Sequence, residues 1–162
     1  MVRWGGLDQL PSGTTVLDVG CGIGGSSRIL AKEYGFAVTG VTISPQQVRR
    51  AQEITPAEVT AQFQVDDALD LSFPDASFDV VWSIEAGPHM PDKARYAQEM
   101  MRVLKPGGIL VVADWNQRDA RQKPLNCWAK QVQLTLLDHW AHAAVASIAG
   151  SPQPCDCAGL SV

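Results

Sequence analysis

The feature that most constrains this chain is a rhythm. Short apolar, β-branched runs alternate with stretches of helical periodicity along most of its 162 residues. Thr14 to Val19 reads as a buried strand. Ser26 to Tyr34 reads as a helix, with Ile29 and Leu30 on its inner face and Gly35 at its end. Phe36 to Ile43 is a second strand. Ser44-Pro45-Gln46-Gln47 opens a second helix: Ser44 caps it, Pro45 suits the first turn and Gln47 completes a capping box. Ala61 to Val65 and Phe78 to Ile84 are further strands. Pro91 to Leu104 is a helix stopped by Lys105-Pro106-Gly107-Gly108, and Ile109 to Trp115 is a fifth strand. Pro124 to Ala143 is a last helix, in which Leu125, Trp128, Val132, Leu136 and Trp140 make one apolar stripe.

The order β-α-β-α-β-β-α-β-α predicts an α/β fold: a doubly wound, mostly parallel, Rossmann-like sheet with helices on both faces. Ligands of such sheets sit beyond the carboxyl ends of the strands, near the switch point. The residues just after each strand are therefore the candidates for chemistry.

Composition removes several other classes. A chain that is 46% hydrophobic and 19% charged is globular rather than disordered. Thirteen Lys+Arg against 17 Asp+Glu give a net charge of −4, which argues against a nucleic-acid partner. No apolar run reaches the ~18 residues of a membrane span, and no signal peptide is visible. Four scattered cysteines make no disulfide framework. The expectation is a cytoplasmic chain. Residues 1–150 read as one domain. Residues 151–162 read as an irregular tail, in which Pro152 and Pro154 forbid a helix and Cys155-Asp156-Cys157 lacks the further ligands of a zinc site. No metal site is expected.

The first strand runs into Leu17-Asp18-Val19-Gly20-Cys21-Gly22-Ile23-Gly24-Gly25. Glycines here let the chain turn sharply and let a ligand touch backbone, with helix amides pointing at it. Gly20, Gly22 and Gly25 satisfy the G-x-G-x-x-G spacing of a dinucleotide site. That site also wants an acid ~20 residues on, at the end of the second strand. The second strand ends in Gly40-Val41-Thr42-Ile43-Ser44, with no acid. The acid, Asp18, instead precedes the glycines, where a carboxylate suits a ligand with a positive amino group. Cys21 reads as a small filler in this loop.

Glu85 and His89 follow the fourth strand. Glu85 suits binding more than proton transfer. His89 suits a general base, because an imidazole titrates near neutral pH; equally, it suits a loop histidine that only bonds backbone. Asp66 and Asp67, two adjacent acids after the third strand, suit binding or capping of the next turn. His139 and His142 read as ordinary helix residues.

Val16-Leu17-Asp18-Val19-Gly20-Cys21-Gly22-Ile23-Gly24 resembles motif I of the class I S-adenosylmethionine-dependent methyltransferases. Asp66-Asp67-Ala68 resembles the acidic pair that reaches adenine. Phe78-Asp79-Val80-Val81-Trp82-Ser83 resembles motif II, and Arg102 to Gly108 resembles the segment introducing strand five. The missing acid after strand two departs from the commonest pattern. Val38 to Ser44 with Gln47 resembles the tocopherol, sterol and cyclopropane-fatty-acid branch, where hydroxyl and amide groups take contacts near the ribose. Trp82 to Lys93, with Ala113 to Asp119, is similar to the cyanobacterial 2-methyl-6-phytyl-1,4-benzoquinol methyltransferases.

The resemblance implies a cofactor, S-adenosyl-L-methionine, released as S-adenosyl-L-homocysteine. It implies Asp18, Gly20, Cys21, Gly22, Gly24, Thr42, Ser44, Gln47, Asp66, Asp67, Ala68 and Ser83 at that cofactor, and Glu85 and His89 at the chemistry. It further implies a lipophilic aromatic acceptor, C-methylated on its ring, that draws the chain to a membrane surface. The similarity stops near Gly150, and five of the family's seven strands are found. The expectation is a partial chain whose residues 151–162 are foreign to the rest. Its alternatives are a methyltransferase of another acceptor, a cofactor-binding remnant without turnover, and a nicotinamide-dependent oxidoreductase.

Overall fold

The computed structural model describes residues 2–3 and 5–114. Within them lie β1 (Thr15–Val19), α1 (Gly25–Tyr34), β2 (Ala37–Thr42), α2 (Pro45–Ile54), β3 (Ala61–Val65), β4 (Phe78–Ile84), α3 (Lys93–Val103) and β5 (Leu104–Ala113). The helix expected at 124–143, its apolar stripe and histidines, and the 151–162 tail lie outside the described residues.

The five strands form one parallel sheet in the order β3-β2-β1-β4-β5. The order reverses between β1 and β4, so the crevice of a doubly wound fold opens at their carboxyl ends. Period-two alternation splits the strands between two cores. Val16, Val38, Val80, Trp82 and Val111 pack with Leu30 and Ala31 of α1 and with Leu7 and Phe36. Leu17, Val19, Val41 and Val81 face the other way, onto Tyr96, Met100 and Val103 of α3. Fully burying a side chain such as Phe36 stabilises by about 1.5–3 kcal/mol.

Three expectations are corrected. Ile29 is 51% exposed while Leu30 is 1% exposed. The inner stripe of α1 is Ser27, Leu30 and Ala31, and Ile29 falls outside that arc. The helix expected from Pro91 starts at Lys93, because Asp92 caps it: Asp92 Oδ1 accepts from the Arg95 amide at 2.9 Å. Lys105 to Gly108 does not separate helix from strand. Leu104 already pairs with Phe78, and regular pairing resumes at Ile109 with Val80. The intervening residues bulge from the ladder through Gly107 at φ +78°. Lys105 Nζ then reaches Asp79 Oδ1 at 2.8 Å.

Candidate active site

The loop after β1 is held from below. The Gly20 and Cys21 amides both donate to Val41 O, at 2.9 and 3.0 Å, so the loop sits on the end of β2. Gly20 (φ +77°), Gly22 (φ +56°) and Gly24 (φ +78°) are all left-handed. Two of them are also fixed by space. A side chain on Gly20 would collide with Ala86 Cβ, and one on Gly24 with the Phe63 ring. A side chain on Gly22 would meet nothing within 4 Å, so this stretch of backbone is open.

Asp18 lies beneath the loop, 1% exposed. It stands opposite Trp82 and Gly40 in the sheet. Its Oδ2 accepts from Ser26 Oγ at 2.9 Å and Ser27 Oγ at 2.6 Å, at the start of α1. Burial pushes its carboxyl above the usual carboxylate range, and the serine hydroxyls oppose that shift. Cys21 packs with Val48, Ala51 and Phe63. Burial, reinforced by the Asp18 charge, pushes its thiol up to about 12, so it is a packing group and no nucleophile.

At the end of β2, Thr42 organises the helix start. Ser44 Oγ accepts from the Gln47 amide at 3.4 Å, half of a capping box. The reciprocal half is absent, which corrects the expectation. Gln47 Oε1 accepts instead from Thr42 Oγ1 at 2.7 Å, and Thr42 Oγ1 accepts from the Ser44 amide at 3.3 Å. Thr42 is thus a relay between cap and helix. Ile43 beside it is 71% exposed and Ile23 in the glycine loop is 48% exposed. Ile23 adjoins the open Gly22 backbone in the chain and Ile43 follows the end of β2; sequence reading missed both. Their signal was their position: Ile43 directly follows β2, and Ile23 sits among the glycines of the loop after β1.

The acids after β3 build a turn. Asp66 accepts from the Asp67 amide at 3.0 Å and from Ser72 N and Oγ at 3.1 and 2.9 Å. Asp67 Oδ1 accepts from the Leu69 amide at 2.9 Å. Ala68 is buried in the α3-side core. Ser83 is fully buried on β4. It donates to Val19 O at 2.7 Å, so its single proton is spent and Tyr96 must donate its hydroxyl proton to Ser83. That chain ties the ends of β1, β4 and α3. Burial moves the Tyr96 phenol up to about 12. Ser83 and Ala68 therefore support the site from within, whereas the Asp66 and Asp67 carboxylates stand at its surface.

Glu85 and His89 both emerge exposed beyond β4. Glu85 has φ +58°, one of two non-glycine residues among those described in left-handed backbone. Such a conformation costs about 1–3 kcal/mol and persists only where surrounding structure imposes it. Here Glu85 N donates to Ala113 O at 2.8 Å, and a 3-10 turn over Gly87–His89 follows. Ala86, next in the chain, touches Gly20. The segment bearing Glu85 and His89 is thereby packed directly on the glycine loop.

Comparison with known proteins agrees with this geometry. A family model described as a methyltransferase domain matches residues 17–112, from β1 to β5. The chain is 72% identical over 160 residues to the 2-methyl-6-phytyl-1,4-hydroquinone methyltransferase of Synechocystis sp., covering 99% of this chain and 50% of that protein. It is 47% identical over 122 residues to the chloroplastic tocopherol O-methyltransferase of Arabidopsis thaliana, covering 72% of this chain and 35% of that one. The chain thus spans about half the length of the first relative and about a third of the second. Among solved structures, Haemonchus contortus phosphoethanolamine N-methyltransferase 2 in complex with S-adenosyl-L-methionine superposes with a TM-score of 0.70 at 26% identity, over 86% of this chain and 31% of that one. Sheet order, glycine loop and matched span together make this chain a member of the methyltransferase domain family.

Proposed function

We propose that this chain methylates a ring carbon of a prenylated quinol, a 2-methyl-6-phytylbenzoquinol-like acceptor of tocopherol and plastoquinone biosynthesis, with S-adenosyl-L-methionine as donor. One observation carries the reading: an acid-backed glycine loop and a strained, exposed Glu85 meet across the Gly20–Ala86 contact at the switch point. The identity to the Synechocystis enzyme supports the acceptor class. The name of the Haemonchus neighbour's ligand supports the donor.

The residues present fit an adenosyl sulfonium. Gly22 offers open backbone, Ile23 and Ile43 offer apolar surface, and Asp18 places a carboxyl under the loop. When bound, the cofactor supplies an electrophilic methyl. The rest falls to the chain. The glycine loop, with Asp18, holds the amino-acid end of the donor. Thr42, Ser44, Gln47 and the Asp66–Asp67 turn receive its sugar and base. Glu85 holds either the donor's amino group or an acceptor hydroxyl. His89 accepts the proton of the phenolic hydroxyl, and that loss raises electron density at the ring carbon to be methylated. Positioning that carbon in line with the methyl is the remaining task.

The acceptor is lipophilic, so contact with a membrane surface through the substrate belongs to this proposal. No helix among the described residues is long and apolar enough to cross a membrane. The test combines calorimetric titration with S-adenosylhomocysteine and with NAD, and transfer of labelled methyl to a prenylated quinol. Saturable binding of the first ligand alone, with label on the quinol ring, is the expected result. Binding without transfer identifies a cofactor-binding remnant, and NAD binding in its place overturns the reading.

A further inference from the structure

The turn that carries Glu85 and His89 inverts the usual placement of glycine. Glu85, with a long side chain, occupies the left-handed region at φ +58°. Gly87, two residues on, is not among the left-handed residues and has no backbone need to be glycine. Its missing side chain leaves room for a neighbouring carboxylate. A side chain on Gly87 would run into the carboxylate of Asp114, just past the end of β5. Asp114 Oδ1 accepts from the Gly87 amide at 3.1 Å. From the other side, Lys93 on the first turn of α3 donates its ammonium to Pro88 O at 3.2 Å and to Met90 O at 2.5 Å. Neither contact is an ion pair: a carboxylate grips an amide and an ammonium grips two carbonyls, so each charge is applied to backbone. On the turn's inner side Ala86 fills the space left by Gly20. The contacts run from the β5 end through Asp114, Gly87 and Ala86 to the glycine loop.

We propose that Asp114 and Lys93 are positioning residues that clamp the 86–90 turn against the glycine loop, setting where Glu85 and His89 stand relative to the methyl donor. The catalytic part of this inference rests on the functional reading above; the clamp itself rests on the contacts. Both side chains act on backbone atoms of the turn, and neither is assigned a part in the chemistry itself. Their effect is on how often the turn is in its working place, which governs turnover more than cofactor affinity.

The test uses the whole 162-residue chain. Asp114→Ala, Asp114→Asn and Lys93→Met are compared by residue-resolved amide hydrogen exchange, by S-adenosylhomocysteine calorimetry, and by kcat and KM with labelled donor and a prenylated quinol. Asp114→Ala is expected to speed exchange of the Gly87 amide ~10-fold and lower kcat ~10-fold, with cofactor Kd within ~2-fold, the effect of one lost charge-assisted bond. Asp114→Asn keeps an acceptor oxygen and is expected to recover exchange and kcat to within ~3-fold of the parent. Lys93→Met is expected to speed exchange at Met90 and to lower kcat in the same sense. Unchanged Gly87 exchange in Asp114→Ala overturns the clamp, as does an Asp114→Asn variant as impaired as Asp114→Ala. If the parent chain binds S-adenosylhomocysteine yet transfers no methyl, the functional reading fails, while the exchange measurements still decide whether the clamp exists.

Discussion

At the amino end of the sheet, Asp79 answers every polar neighbour. Its Oδ2 accepts from Thr15 N and Oγ1 at 3.0 and 2.6 Å, and its Oδ1 accepts from Lys105 Nζ at 2.8 Å. Behind α3, Glu99 is equally committed: 2% exposed, it takes Arg102 Nη2 at 2.6 Å, Arg95 Nη2 at 3.2 Å and the Leu71 amide at 3.0 Å. Both carboxyls are held below their ordinary range, Asp79 at about 2 by Lys105 and Thr15, and Glu99 by Arg102. At the carboxyl end the logic reverses. Asp18 is buried with only hydroxyls and an amide for donors, and its carboxyl is pushed up. Glu85 is strained and exposed, and Ile23 and Ile43 face outward. One end of the sheet has its charges neutralised for stability. The other keeps a buried carboxyl with no cationic partner among the described residues, backbone strain and uncovered apolar surface, features that favour a ligand over the empty fold.

The largest expected effect breaks the carboxyl end at its buried carboxyl. Asp18→Ala should abolish saturable cofactor binding, a loss of about 3–5 kcal/mol as for one partner of a buried ion pair, measured by calorimetry. Asp18→Asn sharpens the contrast. A carboxyl whose folded pKa is raised favours the folded state when protonated and opposes it when ionised, so the neutral isostere should bind cofactor poorly yet melt no lower than the parent. A lower melting temperature would mean that Asp18 is a structural anion like Glu99.

Glu99→Ala should do the opposite, lowering unfolding free energy by about 3 kcal/mol in denaturant melts while the folded fraction keeps its cofactor affinity. His89→Ala comes next: kcat lower by ~100-fold with cofactor Kd unchanged, the size of a lost general base. An unchanged rate removes the proton-transfer role. The pH dependence of stability tests the amino end. Asp79 has a depressed folded pKa, so its contribution is present above about 3.8 and lost as pH falls toward about 2; Asp79→Asn should flatten that part of the acid-unfolding curve. The smallest effect is a gain. Glu85→Gly relieves the left-handed strain and should raise stability by about 1 kcal/mol in thermal melts while lowering turnover.

Much of this fold was legible because its signals are local. β-branched runs, Gly35 after α1 and the Ser44-Pro45 start each act within a few residues, and each element was found within two or three residues of its ends, except that β5 starts five residues early. The errors were of two kinds, local alternatives that compete within a few residues and partners far off in the chain. Gln47 left its expected partner because Thr42, across the strand end, offers a shorter bond. The Lys105–Gly108 turn became a bulge because Leu104 found Phe78 on the neighbouring strand. The glycine loop was readable as a loop. That Ser83 is consumed by Val19 and Tyr96, and that the Gly87 amide donates to Asp114, was not.

By itself, then, the amino-acid order determined the alternation of elements, the sheet they form and the family they belong to, since periodicity, capping and turn chemistry are properties of neighbours in the chain. Only the folded chain decided which acids meet a cationic partner and which are buried without one, and which segment presses on the glycine loop. Those outcomes depend on burial and on contacts between residues such as Asp18 and Ser27, Gly20 and Ala86, or Gly87 and Asp114, and a carboxyl's charge state is fixed by its whole surroundings and not by the residues beside it.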